Sequence, residues 1–181
     1  MQRSSILQVV CFLVFFVVLV PVTHFVFVSR AHAASILSVV QQPSRLFIPS
    51  IGLNAPVLAV GVNAAGEMAV PSGKSNAVGW YAGGAVPGQT GSAVLDAHVF
   101  AAFSHLSKVA PGSNLYVTVG SRTLHFVVQK VKTYSLNELS PQMLFAQNDA
   151  RRLNLITCAG SYVPALGTYD HRLVVYAVEV G

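Results

Sequence analysis

Cysteine is almost missing from this 181-residue chain, which has two, Cys11 and Cys158. Cys11 sits inside a long apolar run and Cys158 lies far from it in sequence and surroundings, so a disulfide-stapled domain is excluded. Charge is also scarce. From Arg45 onward, nine Lys and Arg stand against six Asp and Glu, a net of +3. These charges are scattered apart from Lys130/Lys132 and Arg151-Arg152. No basic block with interleaved aromatics occurs, so nucleic acid is not an expected partner. The chain also lacks a G-x-S-x-G elbow, a glycine-rich phosphate loop after a strand, and a Cys or His pair at zinc-finger spacing. Asp96-x-His98 with Cys158 makes three unlike ligands without a spacing signature, and no metal or cofactor is expected. No internal repeat or low-complexity tract is present.

One long hydrophobic run stands out against this background. Ile6 to Val28 carries no charged side chain, which is long enough to cross a hydrocarbon core as a helix. Ala31-His32-Ala33-Ala34 resembles a signal-peptidase site. The run nevertheless exceeds the roughly 7–15 residues of a cleaved signal core, which favours an uncleaved anchor over residues 1–30. With Arg3 before the span and Arg30 after it, the flanking charges do not orient it. Residues 31–44, rich in Ala, Ser and Gln and ending in Pro43-Ser44, read as a stalk. What remains, 45–181, is one domain with a core.

That domain reads as mainly β. Short β-like runs alternate with turns: Arg45 to Ile48, Ala55 to Val62, Met68 to Val70, and Ser92 to Val99. Gly79 to Gly91 reads as a Gly- and Pro-punctuated loop. Leu115 to Val119 and Thr123 to Val131, joined by Gly120-Ser121-Arg122, predict an antiparallel hairpin. A helical turn fits Phe100 to Ala110, and a short helix fits Ser140 to Asp149 with Ser140-Pro141 as cap and first position. Arg151 to Cys158 predicts a strand that stops at the thiol, and Arg172 to Val180 predicts the last strand. Many short strands with one or two short helices indicate a closed or nearly closed barrel.

Cys158 is the only cysteine of the soluble part, and an unpaired thiol in an exported domain calls for a purpose. A thiolate acting on a carbonyl needs a partner acid or base and a donor for the oxyanion. If the strand ending at Cys158 and the strand starting at Arg172 form a hairpin, their loop brings Arg172 back to the thiol. Arg172, Val174, Tyr176 and Val178 then share one face of the final strand, with Leu173, Val175 and Ala177 on the other. The competing reading of Arg172 is a surface ion pair, for instance with Asp170. Of the six histidines, His98 differs by ending an apolar strand, with Asp96 two residues back on the same face. The competing reading there is a satisfied structural histidine.

Together these pieces resemble the sortases, membrane-anchored cysteine transpeptidases of Gram-positive and related bacterial surfaces built on an eight-stranded β-barrel. The likeness runs from about Arg45 to Val180. Leu155-Ile156-Thr157-Cys158 is similar to the T-L-x-T-C signature, Arg172 to Ala177 to the segment opening with the catalytic arginine, and Val94 to His98 to the strand ending in the catalytic histidine. Arg45 to Val57 resembles the opening of many sortases, and Val78-Gly79-Trp80-Tyr81 with Pro87-Gly88 resembles the compact class F. Two positions depart from the pattern: Ala97 stands where glycine is usual before the histidine, and Asp96 replaces a small or apolar residue.

The resemblance implies a closed eight-stranded barrel behind an N-terminal transmembrane helix, on a single-pass protein of the cell membrane whose catalytic domain is extracellular. It implies that Cys158 cleaves an L-P-x-T-G-like signal between Thr and Gly through a thioester. His98 would serve as acid and base, and Arg172 as oxyanion or substrate donor. Substrate contacts are expected at Ala97, Thr157 and Leu144, in a groove near Ser140 to Phe145 and the loop Ser161 to Asp170. The implied partners are surface proteins bearing a C-terminal sorting signal and an amine from a peptidoglycan precursor or pilin. Two alternatives stay open: a hydrolase using the same Cys, His and Arg, and a membrane-tethered, non-catalytic peptide-binding barrel.

Overall fold

Alternation of apolar and polar residues builds the first strands in a computed structural model that describes residues 41–145 and 149–181. The predicted anchor and most of the stalk lie outside the described residues. In β1 (Pro43–Ile48), Leu46 and Ile48 are buried while Phe47 faces outward. In β2 (Leu53–Val60), Leu53, Ala55 and Val57 point inward. This two-residue period lets one face of each strand line a common interior. Six further strands complete it: β3 (Val78–Tyr81), β4 (Gly91–Asp96), β5 (Asn114–Val119), β6 (Arg122–Ser135), β7 (Arg151–Val163) and β8 (Thr168–Glu179). They pair in the order β1-β2-β3-β4-β7-β8-β6-β5, and β5 closes back on β1, giving the expected eight-stranded barrel.

Inside the barrel lies a continuous apolar core that includes Leu46, Ile48, Leu95, Phe103, Phe126, Leu153, Leu155 and Val175. Burial of each such side chain stabilises the fold by roughly 1.5–3 kcal/mol. The short helix α1 (Pro141–Phe145) covers part of the outside. Beneath it a second apolar cluster forms from Val94, Tyr134, Leu144, Ile156 and Val174. Consecutive residues of β4 and β7 are therefore buried on both faces, which explains why these stretches read as unbroken apolar runs.

Several boundaries differ from those the sequence predicts. The loop assigned to Gly79–Gly91 holds β3, parallel to β2 and antiparallel to β4, with Trp80 in the core. Its four residues are too few to show a period among the surrounding glycines. Met68 to Val70 is not a strand; one isolated bridge joins Met68 to Val62. In β7 the chain does not stop at Cys158. A register shift between Ala159 and Tyr162 carries the β7–β8 ladder on to Val163. Gly160 at φ 78° takes up that bulge, a conformation costly for any residue with a Cβ. For the same reason β8 begins at Thr168 rather than Arg172. The helix predicted over Ser140–Asp149 covers Pro141–Phe145, and residues 146–148 lie outside the description.

Candidate active site

Three neighbouring strands set the geometry of the site. β7 and β8 place Arg172 directly opposite Cys158. On the other flank, β4 runs parallel to β7 with Asp96 beside Ile156. His98 follows two residues beyond the end of β4, next to Ala97, whose carbonyl accepts from Thr157 of β7. His98 is the first residue of the turn that follows, its carbonyl accepting from Ala101 N at 3.0 Å and Phe103 N at 3.3 Å. Cys158 thus shares the outer face of the barrel with a histidine and an arginine, and the hairpin reading anticipates the Arg172 side of that grouping.

All three line one groove of about 1080 Å³. Its floor is the outer face of β4 and β7, including Val94, Asp96 and Ile156. One wall is Leu139 to Phe145, and the other is the segment after β2, from Val62 to Val70. Of the expected substrate contacts, Ala97 and Leu144 line this groove, as do Ser140, Pro141 and Phe145. Of the loop Ser161 to Asp170, Thr168 does so. Thr157 is not among the lining residues. It is buried and its hydroxyl donates to Ala97 O at 2.7 Å, so it acts behind the groove, tying β7 to the segment that carries His98. Alternation accounts for this, since Thr157 points inward when Cys158 points outward.

Packing and hydrogen bonds orient the other two side chains. The His98 ring stacks on Phe100, with centroids 4.8 Å apart and planes at 15°. Gly73 packs against that pair; a Cβ added there would come within 2.6 Å of Phe100 Cε2. Arg172 donates through Nη1 to the carbonyls of Tyr169 and His171, both at 2.9 Å, and through Nη2 to Thr168 Oγ1 at 3.0 Å. Asp170 does not pair with Arg172. Its carboxylate takes His171 Nδ1 at 2.7 Å and Ser161 N at 2.8 Å, and these bonds, the histidine's first, hold it below the usual carboxylate range. The surface ion pair that competed as an explanation of Arg172 is therefore taken by its neighbour. Asn154, fully buried, donates Nδ2 to Leu144 O at 2.7 Å and so fastens the C-terminal end of α1 over the groove.

Asp96 is the unusual charge. Burial pushes its carboxyl up to about 7, against the opposing pull of the Arg172 guanidinium and a bond from Ala97 N–H. Its position two residues before His98 was legible in the sequence. Its place on the floor of a mostly apolar groove was not, because that depends on walls contributed by distant segments. Glu67, which also lines the groove, carried no sequence signal, and Tyr81, another lining residue, was noted only as part of the Val78 to Tyr81 resemblance.

A match to the family described as Sortase domain spans residues 46–180. The chain belongs to the sortase family. Solved sortases share its fold. Sortase A from Corynebacterium diphtheriae, in a lid-mutant form, aligns with a TM-score of 0.61 at 23% identity, covering 77% of this chain and 70% of that one. Sortase C2 of Group B Streptococcus pilus island 1 aligns at 0.59 and 25%, covering 76% and 73%. The sortase D5 transpeptidase of Clostridium perfringens aligns at 0.60 and 17%, covering 77% and 79%. Comparison with curated proteins returns no match. Membership makes this chain a cysteine transpeptidase in general terms, acting on sorting-signal substrates and amine nucleophiles.

Proposed function

We propose that this sortase cleaves an L-P-x-T-G-like sorting signal between Thr and Gly and transfers the upstream protein to a cell-wall or pilin amine. The observation that supports this reading is that Cys158, His98 and Arg172 line one groove, with Arg172 opposite Cys158 in the β7–β8 register. Cys158 as thiolate attacks the Thr carbonyl carbon, and its electron pair moves onto the oxygen. Arg172 faces that position and, with donors to spare beyond its three present bonds, stabilises the oxyanion. Collapse of the intermediate breaks the Thr–Gly bond, and His98 as imidazolium protonates the departing glycine amine. A thioester remains on Cys158. The neutral imidazole then takes a proton from the incoming amine as it attacks the thioester, and the thiolate leaves. Ala97 and Leu144 contact the peptide from the groove, and Thr157 contributes by holding the Ala97 carbonyl.

In this reading the apolar run Ile6 to Val28 tethers the enzyme in the cell membrane as a single pass, with the barrel outside, where surface proteins present their signals. The test is cleavage of a fluorogenic L-P-x-T-G peptide by the domain from Arg45, followed by ligation when a Gly-bearing amine is added. Cys158→Ala must abolish both. Equal behaviour of wild type and mutant over a panel of sorting peptides overturns the reading in favour of a binding module. Cleavage without ligation to any amine makes the chain a hydrolase.

A further inference from the structure

Histidine rings on this barrel are fixed in two ways. His171 Nδ1 bonds Asp170 Oδ1 at 2.7 Å, and His125 Nε2 bonds Asn114 Oδ1 at 2.8 Å while its ring stacks on Tyr116 with centroids 4.9 Å apart. Each of these rings has one nitrogen whose role its partner sets. His98 is held differently. Among the described residues neither of its ring nitrogens is hydrogen-bonded, and it makes no ion pair, with Asp96 two residues back or with any other acid. Hydrogen bonds tie down its backbone alone: its carbonyl accepts from Ala101 N and Phe103 N, and the adjacent Ala97 carbonyl accepts from Thr157. What holds the ring is the stack on Phe100, with 4.8 Å between centroids and 15° between planes.

Behind this pair stands a second turn, closed by Ser75 N and Ser75 Oγ on the Ser72 carbonyl at 2.9 and 2.8 Å. Gly73 of that turn lies against both rings, since a Cβ added to it would meet Phe100 Cε2 at 2.6 Å, Phe100 Cζ at 3.0 Å and His98 Cδ2 at 3.3 Å. Glycine is needed there for space, not for its backbone angle. Phe100 itself is 65% exposed, so it buries too little surface for folding to be its main contribution. We propose that Phe100, backed by Gly73, is a positioning residue that holds His98 in the groove with both ring nitrogens free for proton transfer. The inference rests on the peptide-transfer reading, which gives His98 that task.

A stack suits this task better than a hydrogen bond does. Giving a proton to one amine and taking one from the next carries the ring through both its charged and its neutral form. A neutral imidazole stacks on a phenyl ring and an imidazolium is drawn to its negative face, so the contact serves either state. A carboxylate on one nitrogen would instead favour the charged form and occupy a proton site. Without Phe100 the His98 side chain is free to take other rotamers, and the share of time it spends in the groove falls. Peptide binding is left alone, because Phe100 is not among the residues that line the groove.

Two variants test this: Phe100→Leu, which keeps an apolar side chain and removes the ring, and Gly73→Ala, which crowds the stack from behind. Both are expected to lower kcat for transfer of an L-P-x-T-G peptide to a Gly-bearing amine by about three- to tenfold, with KM within about twofold of wild type. Melting temperatures should stay within about 3 °C of wild type. NMR of the His98 ring protons, identified by their loss in His98→Gln, gives a readout apart from turnover. At matched protonation they should lie upfield in wild type, under the Phe100 ring current, and move downfield in Phe100→Leu. Ring protons at unstacked positions in wild type overturn the inference whatever the turnover. Full kcat in both variants beside an active wild type, or a loss confined to KM, overturns it and leaves peptide transfer standing. If wild type transfers no peptide, both fall.

Discussion

The inner and outer faces of β7 lie on one strand and obey different chemistry. Inward-pointing Leu153 and Leu155 sit in the barrel core beside Leu95 and Val175, and Thr157, also pointing inward, spends its one hydroxyl on a backbone carbonyl. Outward-pointing Asn154, Ile156 and Cys158 belong to a face that is covered by α1 at one end and open at the other. A two-residue period thus separates residues that hold the barrel shut from residues that line the groove. The inner face tolerates no unpaired polar group, because nothing there can solvate it. The outer face keeps a thiol, a guanidinium and a carboxyl half-covered, and burial there raises the Asp96 carboxyl. Reactive chemistry on a barrel this small fits only on the outside, since side chains fill the inside.

Substitutions on alternate residues of β7 should break this division cleanly. Cys158→Ala is expected to lower transpeptidation by at least about 10³-fold while leaving the melting temperature nearly unchanged, measured by peptide turnover and calorimetry on one preparation. Leu155→Ala, three residues away on the inner face, should behave oppositely, costing roughly 2–5 kcal/mol of stability in denaturant titration. Any protein that remains folded should retain kcat. If Leu155→Ala instead removed activity from fully folded protein, the two faces would not be separable.

Asp96 sharpens the comparison because the outer face pays for its chemistry in stability. Its carboxyl holds a proton to about pH 7 when folded but only to about pH 3.9 when unfolded. The folded state therefore binds more protons between those values. Stability falls as pH rises through that window, and the full penalty is present above pH 7. Asp96→Asn should gain little near pH 4 and about 2 kcal/mol above pH 7, allowing for partial exposure of the site, as read by thermal unfolding across pH. A gain independent of pH would remove burial as the cause. Thr157→Val carries the smallest effect. It preserves shape and loses the bond to Ala97 O, which should cost about 1 kcal/mol of stability and shift kcat/KM more than KM by loosening the segment bearing His98. Unchanged turnover at the expected loss of stability would confine Thr157 to the fold.

Much of this was legible in residues 45–181 without coordinates. Cys158, His98 and Arg172 stand out as candidates because the proposed nucleophile, acid and oxyanion donor need particular functional groups, and each stands beside an apolar run whose β character is local. The hairpin that joins Cys158 to Arg172 was also within reach, since its connection is short. The strand β3 was hidden, because four residues between glycines show no period, and the ladder beyond Cys158 was hidden by a bulge that reads as a loop. Thr157 was expected in the groove because its motif places it next to the thiol, and a neighbour in sequence is on the opposite face in a strand.

The residue types that do the chemistry, the β class and the pairing of the last two strands follow from local chemistry and short-range geometry. The parallel register of β4 against β7, which joins Asp96 to Ile156 across some sixty intervening residues, follows from neither. It is set by closure of the whole barrel, which fixes every strand's offset at once. That single long-range pairing lays Asp96 on the groove floor and brings the segment that carries His98 to the flank of the strand that carries the thiol.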